Sequence, residues 1–165
     1  MASRAGKTLD YKTKILRVGG IESGSRTDET LTLEGIRSVA ADTAVAITGA
    51  TSLTLKDSGG CFSVAQSSTY DINLPDPTEG PGLSYTFYLT APGSFAPTIT
   101  CTGAATFVGS IILDASVVVA TGNTLTFASG AALLGDNIEI TSISTSLYLV
   151  RAVSSAAAGI TSTTV

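Results

Sequence analysis

From Thr43 onward, apolar and polar residues alternate with a period of two, the pattern of strands that turn one face to a core. Val45, Ile47, Leu53 and Leu55 share one parity around a turn at Gly49. Phe62 and Val64 follow Ser58-Gly59-Gly60. Tyr70, Ile72 and Leu74 form another set, closed by Pro75-Asp76-Pro77. Leu83, Tyr85, Phe87 and Leu89 lie between Gly80-Pro81-Gly82 and Ala91-Pro92-Gly93. Ile99 with Cys101, Leu125 with Phe127, Ile138 with Ile140, and residues 147–153 complete the series. The runs 111–113 and 117–119 are continuously apolar, which predicts strands buried on both faces. Short strands cut by Gly and Pro predict an all-β fold, an antiparallel β-sandwich or jelly-roll-like domain. No long amphipathic helix separates the strands, which excludes a parallel α/β fold.

The ends of the chain read differently. Residues 1–42 form an extended N-terminal arm, residues 43–153 the β-sandwich, and residues 154–165 a flexible C-terminal tail. Within the arm, Lys12-Thr13-Lys14-Ile15-Leu16-Arg17-Val18 suits one strand, broken at Gly19-Gly20. Residues 28–42 fit either a short strand through Leu31 and Leu33 or a helical turn near 34–41, which Gly35 weakens. Ile15, Leu16, Val18 and Ile21 suit an arm that orders on a partner, against the plain reading of a solvated terminus. The tail reads as a frayed end, with Ile160-Thr161-Ser162-Thr163 as a docked or swapped strand in the alternative.

Charge sharpens the division. Seven of the nine Lys and Arg residues lie in positions 1–37, against five acidic residues there, a balance of +2. Positions 38–165 hold two cations and eight acids, a balance of −6. The body repels nucleic acid, so no nucleic-acid partner is expected. The arm, with Arg4, Lys7, Lys12, Lys14 and Arg17 against Asp10 alone, suits an acidic or polar partner surface. No apolar run approaches a membrane span, and charges interrupt any signal-peptide core, so synthesis in a cytoplasm and no membrane partner are expected. Charged residues make up only 13% of the chain, about half the usual level, which fits a surface packed against neighbours.

Chemistry is sparse. The chain has no His, which excludes Ser-His-Asp and Cys-His arrangements and His-ligated metals. No phosphate-binding glycine loop or nucleophile elbow occurs. Cys61 and Cys101 allow one disulfide, but both sit in strand-like runs, and buried free thiols are the preferred reading. Asp71, Asp76 and Glu79 are close in sequence and are the carboxylates to test for acid–base work, yet turn chemistry accounts for them and for Asp114 and Asp136. The chain is therefore not expected to be an enzyme, and no catalytic residue, cofactor or metal is assigned. Tyr88 has the opposite parity to Tyr85 and Phe87, so it is expected to point outward as an interface aromatic.

Four stretches carry a resemblance: Leu55-Lys56-Asp57-Ser58-Gly59-Gly60-Cys61-Phe62-Ser63-Val64, Tyr70-Asp71-Ile72-Asn73-Leu74-Pro75, Gly82-Leu83-Ser84-Tyr85-Thr86-Phe87-Tyr88-Leu89 and Gly135-Asp136-Asn137-Ile138-Glu139-Ile140. Together they fall within residues 53–153, and they resemble capsid decoration (cement) or head-stabilising proteins of tailed bacteriophages, of the marine or cyanophage type. In the last strand Leu147-Tyr148 stands where that pattern is expected to carry Trp. The resemblance implies a virion structural protein on the outer surface of a capsid, self-associating as a homotrimer and binding the major capsid protein. On that reading the arm residues Arg4, Lys7, Lys12, Lys14 and Arg17 lie along the capsid. Two rival classes are a trimeric fibre or receptor-binding module, and a carbohydrate-active enzyme using Asp71, Asp76 or Glu79. DNA binding through the arm inside a particle is a weaker third.

Overall fold

The computed structural model describes residues 44–164 and, before them, the backbone of three short strands. The chain divides into two compact units, Met1–Ala41 and Asp42–Val165. In the first unit, β1 (Leu9–Asp10), β2 (Ile15–Val18) and β3 (Ile21–Glu22) form an antiparallel meander. The strand expected over 12–18 thus corresponds to β2, whereas the helical turn expected near 34–41 lies outside the described residues.

The second unit is all-β. Its strands are β4 (Val45–Ile47), β5 (Thr51–Ser52), β6 (Gly60–Ala65), β7 (Asp71–Leu74), β8 (Ser84–Ala91), β9 (Thr98–Cys101), β10 (Thr106–Leu113) and β11 (Ser116–Ala120). They continue with β12 (Thr124–Phe127), β13 (Asn137–Ser142), β14 (Leu147–Val153) and β15 (Ile160–Thr163). Two 3-10 turns, Leu55–Asp57 and Pro77–Glu79, are the helical segments among the described residues of this unit. A seven-stranded sheet runs β11-β10-β14-β13-β8-β6-β4, and a five-stranded sheet runs β15-β12-β9-β7-β5.

The expected sandwich is present, but its sheets are mixed where antiparallel pairing was expected. From β4 to β9 the chain crosses to the opposite sheet at every step, so β4, β6 and β8 pair in parallel, as do β5, β7 and β9. Parallel neighbours need a long crossover, and here the crossover is a strand of the other sheet instead of a helix. β10 then starts the far side of the larger sheet. The antiparallel pair β13–β14 fills the gap, with β13 against β8 and β14 parallel to β10. Because the direction reverses at each crossing, the connections after β4, β6, β8, β10, β12 and β14 gather at one end of the sandwich. Those after β5, β7, β9, β11 and β13 gather at the other.

Alternation built the core as the sequence predicts. Phe62, Val64, Tyr85, Phe87, Leu89, Ile138, Ile140, Tyr148 and Val150 point inward from the larger sheet. Tyr70, Ile72, Leu74, Ile99, Cys101, Leu125, Phe127 and Ile160 meet them from the smaller one, in one continuous buried cluster. Burying so many large side chains, at roughly 1.5–3 kcal/mol each, is the main term holding the unit together.

Two expectations at the margins are corrected. Neither run expected to be buried on both faces is so: in 111–113 Ile112 is exposed, and residues 117–119 are all exposed. They lie in β11, the last strand of the longer sheet, with Val117 at 67%, Val118 at 45% and Val119 at 67% exposure. The smaller sheet ends with β15 over β10, so on the inner face of β11 Ala120 is buried but Val118 is left largely uncovered. The tail is not frayed either. Ile160–Thr163 pairs antiparallel with β12 along its length, and Ile160 is buried, which is the docked-strand alternative.

Candidate functional site

The carboxylates come first, because they are the groups able to do acid–base work. Asp57 accepts from the backbone N–H and the hydroxyl of Thr54, at 2.7 and 2.8 Å, and so ties the start of its own 3-10 turn. Asp76 caps the next 3-10 turn, accepting from the Thr78 N–H at 2.9 Å, and this bond holds its carboxyl below the usual range. Asp71 accepts from the Thr98 hydroxyl across the parallel β7–β9 pair. Asp71 sits at the end of the sandwich opposite Asp76 and Glu79, so the structure does not bring the three together. Among the described residues no group of three His, Cys, Asp or Glu side chains is placed to hold a metal ion.

Asp136 differs, since it is 1% exposed. Its Oδ2 accepts from the Leu133 N–H at 2.9 Å and the Ser154 hydroxyl at 2.7 Å, and its Oδ1 accepts from the Ser155 N–H at 2.9 Å. Three donors satisfy a buried carboxylate that would otherwise be costly. The residue fastens the β12–β13 connection to the β14–β15 connection. Gln66 does similar work nearby. Its Nε2 donates to the Phe127 and Ala128 carbonyls, both at 3.1 Å, and its Oε1 accepts from the Gly93 N–H at 2.8 Å. Nothing in the local sequence around Gln66 signals this burial, because its partners lie far along the chain.

The buried phenols are structural as well. Tyr70 donates to the Ile47 and Ala65 carbonyls, both at 2.9 Å. Tyr85 donates to the Thr54 carbonyl at 3.2 Å, and Tyr148 to the Pro75 carbonyl at 2.8 Å. Burial pushes the Tyr85 hydroxyl up to about 12, with Asp57 and Glu79 adding to the shift. Burial moves Tyr70 and Tyr148 in the same direction. Cys101 faces the core, and burial pushes its thiol up to about 12, the opposite of a reactive thiolate. Cys61 has the outward parity of β6 and is half-buried, and both cysteines are free.

One shallow cavity of about 430 Å³ lies at the β9–β10 and β11–β12 connections. Small residues such as Gly103, Ala104, Gly122 and Thr164 line it together with Phe107, and no ionisable side chain does. It offers shape without chemistry.

What the described surface does offer is apolar area. On the outer face of the larger sheet, the register aligns Val117, Ile112 and Val153 across β11, β10 and β14, and the row continues through Asn137 to Tyr88. The three aliphatic side chains and Tyr88, 38% exposed, all stand in solvent. Tyr88 is therefore on the face its parity indicates, flanked by Asn137 of β13 and Ser63 of β6. Two residues along the strands, on the same face, Arg151 sits opposite Glu139, an oppositely charged cross-strand pair beside the apolar row. A second apolar cluster marks one end of the sandwich, where Phe95, Leu133 and Leu134 are exposed. Their loops are joined by the Gly130 N–H to the Gly93 carbonyl at 3.0 Å and the Ser129 hydroxyl to the Ser94 carbonyl at 2.7 Å.

Of the basic arm residues, Arg17 is in β2, opposite Glu22 of β3. Arg4, Lys7, Lys12 and Lys14 lie outside the described residues. No helix among the described residues is long and apolar enough to cross a membrane. No protein-family model, no curated protein and no solved structure matches the chain.

Proposed function

We propose that this chain is a virion structural protein, a decoration protein that binds the outer surface of a phage capsid and stabilises contacts between major capsid subunits. The observation that carries the proposal is the apolar row Val117, Ile112 and Val153 standing outward on the face of the larger sheet opposite the core. Exposed contiguous apolar surface marks contact with other macromolecules. Four carboxylates of the body, Asp57, Asp71, Asp76 and Asp136, are engaged in hydrogen bonds within the fold. Copies associate, as a homotrimer on the pattern the sequence resembles, so that each modest contact acts several times. The cationic arm, including Arg17, adds charge pairing along the shell.

A second reading, a fibre or receptor-binding module, is favoured by Phe95, Leu133 and Leu134 at one end of the sandwich. The two readings part in one experiment. Purified full-length chain, and the same chain lacking residues 1–27, are mixed with undecorated capsids and sedimented. Decoration predicts that the intact chain pellets with capsids and the truncated chain does so more weakly. Failure of the intact chain to pellet, together with binding to host-cell glycans, removes the decoration role.

A further inference from the structure

We infer that β11 is a self-pairing edge through which two copies of this chain join their seven-stranded sheets about a two-fold axis. The backbone supplies the first argument. Leu113 and Ser116 flank the two-residue turn of the β10–β11 hairpin, so they form a hydrogen-bonded pair. Such pairs recur at every second position, joining Ile111 to Val118 and Gly109 to Ala120. The alternate residues of β10 turn to β14 instead, as the Ile112 carbonyl shows by accepting from the Ser154 N–H at 2.8 Å. The N–H and C=O groups of Val117 and Val119 therefore point away from the sheet, and no described residue takes them.

The second argument is self-complementarity. Antiparallel pairing centred on Val118 sets Val117 of one copy against Val119 of the other, twice over, and each such pair exchanges two backbone bonds. Val118 then faces its own counterpart in a close, non-hydrogen-bonded pair. This covers Val118, which the shorter five-stranded sheet leaves 45% exposed on the inner face of β11. The third argument is charge. Edge strands are ordinarily guarded by Lys, Pro or a bulge, and Ser116-Val117-Val118-Val119-Ala120 has none of these, so nothing repels an identical strand.

Three valines per copy bury less than the roughly 1,200–2,000 Å² of a standard interface, so the contact is weak in dilute solution and forms when copies are crowded side by side. It is isologous, and it is distinct from any three-fold association. The inference stands apart from the proposed capsid role, since it follows from the edge alone.

The test uses full-length chain. Amide hydrogen exchange is followed by NMR in dilute and concentrated protein, alongside sedimentation of wild type and V117K/V119K. Pairing predicts that the Val117 and Val119 amides gain protection with concentration, while the Val118 amide, bonded to β10, is protected throughout. It also predicts that concentration-dependent growth in mass is lost in V117K/V119K, whose exposed sites tolerate lysine without loss of melting temperature. If the Val117 and Val119 amides exchange equally at both concentrations, the pairing is wrong, and this reading needs no variant to fold. A trimer whose mass is unaffected by V117K/V119K overturns the two-fold contact and leaves the decoration role standing.

Discussion

The hydroxyl of Ser154 donates to the buried carboxylate of Asp136 at 2.7 Å, joining two connections that lie 18 residues apart in sequence. Replacing Asp136 with Ala leaves this hydroxyl and the N–H groups of Leu133 and Ser155 without their acceptor. The expected cost is about 2–4 kcal/mol of folding stability, because buried donors lose partners that water cannot replace. Urea unfolding of D136A measures it. G159A should also destabilise, since a Cβ at Gly159 meets the Ser154 hydroxyl and the Asp136 carboxylate. An unchanged midpoint in D136A would show that the carboxylate does not bear on stability.

Phe62 and Phe87 are register partners on the parallel strands β6 and β8, with ring centroids 5.4 Å apart. Both are buried, and truncating either opens a cavity between the sheets. F87A is expected to lose about 3–5 kcal/mol. F87L, which fills more of the space, is expected to lose less. Equal losses in the two variants would point to backbone rearrangement in place of a simple cavity.

Gly109 sits where β10 meets β14, with φ +138°, in a region that L side chains rarely adopt. A Cβ there also meets the Val150 carbonyl and lies 2.9 Å from the Val150 nitrogen. G109A is expected to cost about 1–3 kcal/mol from backbone strain alone. It should loosen the β10–β14 seam first, seen as faster amide exchange there than in β6 or β8.

Alkaline pH should weaken the fold. Burial pushes Tyr85 and Cys101 each up to about 12, and raises Tyr148 in the same direction. The unfolded chain releases these protons near the ordinary values of 10 for a phenol and 9 for a thiol. The folded state therefore holds more protons between those limits. Stability is complete below about pH 9 and falls as pH rises toward 12. Urea midpoints across that range, with Y85F and C101A flattening the slope, check the sign. Tyr85 ionising at an ordinary phenol value while the protein stays folded would contradict it.

Much of this fold is legible in the sequence, and the lapses have physical causes. Parity alone placed Tyr85, Phe87, Ile99, Leu125 and Ile138 in the core, because a strand's alternation depends only on which face is wet. Alternation says nothing about a strand's neighbour, so the parallel pairing of β6 with β8 left no mark. The absence of helices pointed away from parallel pairing, and the crossing strand β7 supplies the crossover that a helix usually provides. The valines of β11 read as buried on their apolar run alone, whereas burial depends on how far the opposite sheet extends. Asp136 showed its turn in Gly135-Asp136-Asn137, but its burial comes from Ser154 and Ser155, whose proximity no local pattern records. The apolar row on the outer sheet face was legible only at Tyr88, since the alignment of Val117, Ile112 and Val153 is a property of register.

The late arrival of the β13–β14 pair governs how the chain must be assembled. A nascent chain can wind β4 through β9 in order, each strand meeting its neighbour two steps back. β10 and β11 then stand detached from β8, as a hairpin with no seam to the growing sheet. Only when residues 137–153 have emerged does a keystone slide between the halves, zipping β13 to β8 and β14 to β10. Chains stopped short of Val153 are left as two unsealed leaves with open edges, prone to clump.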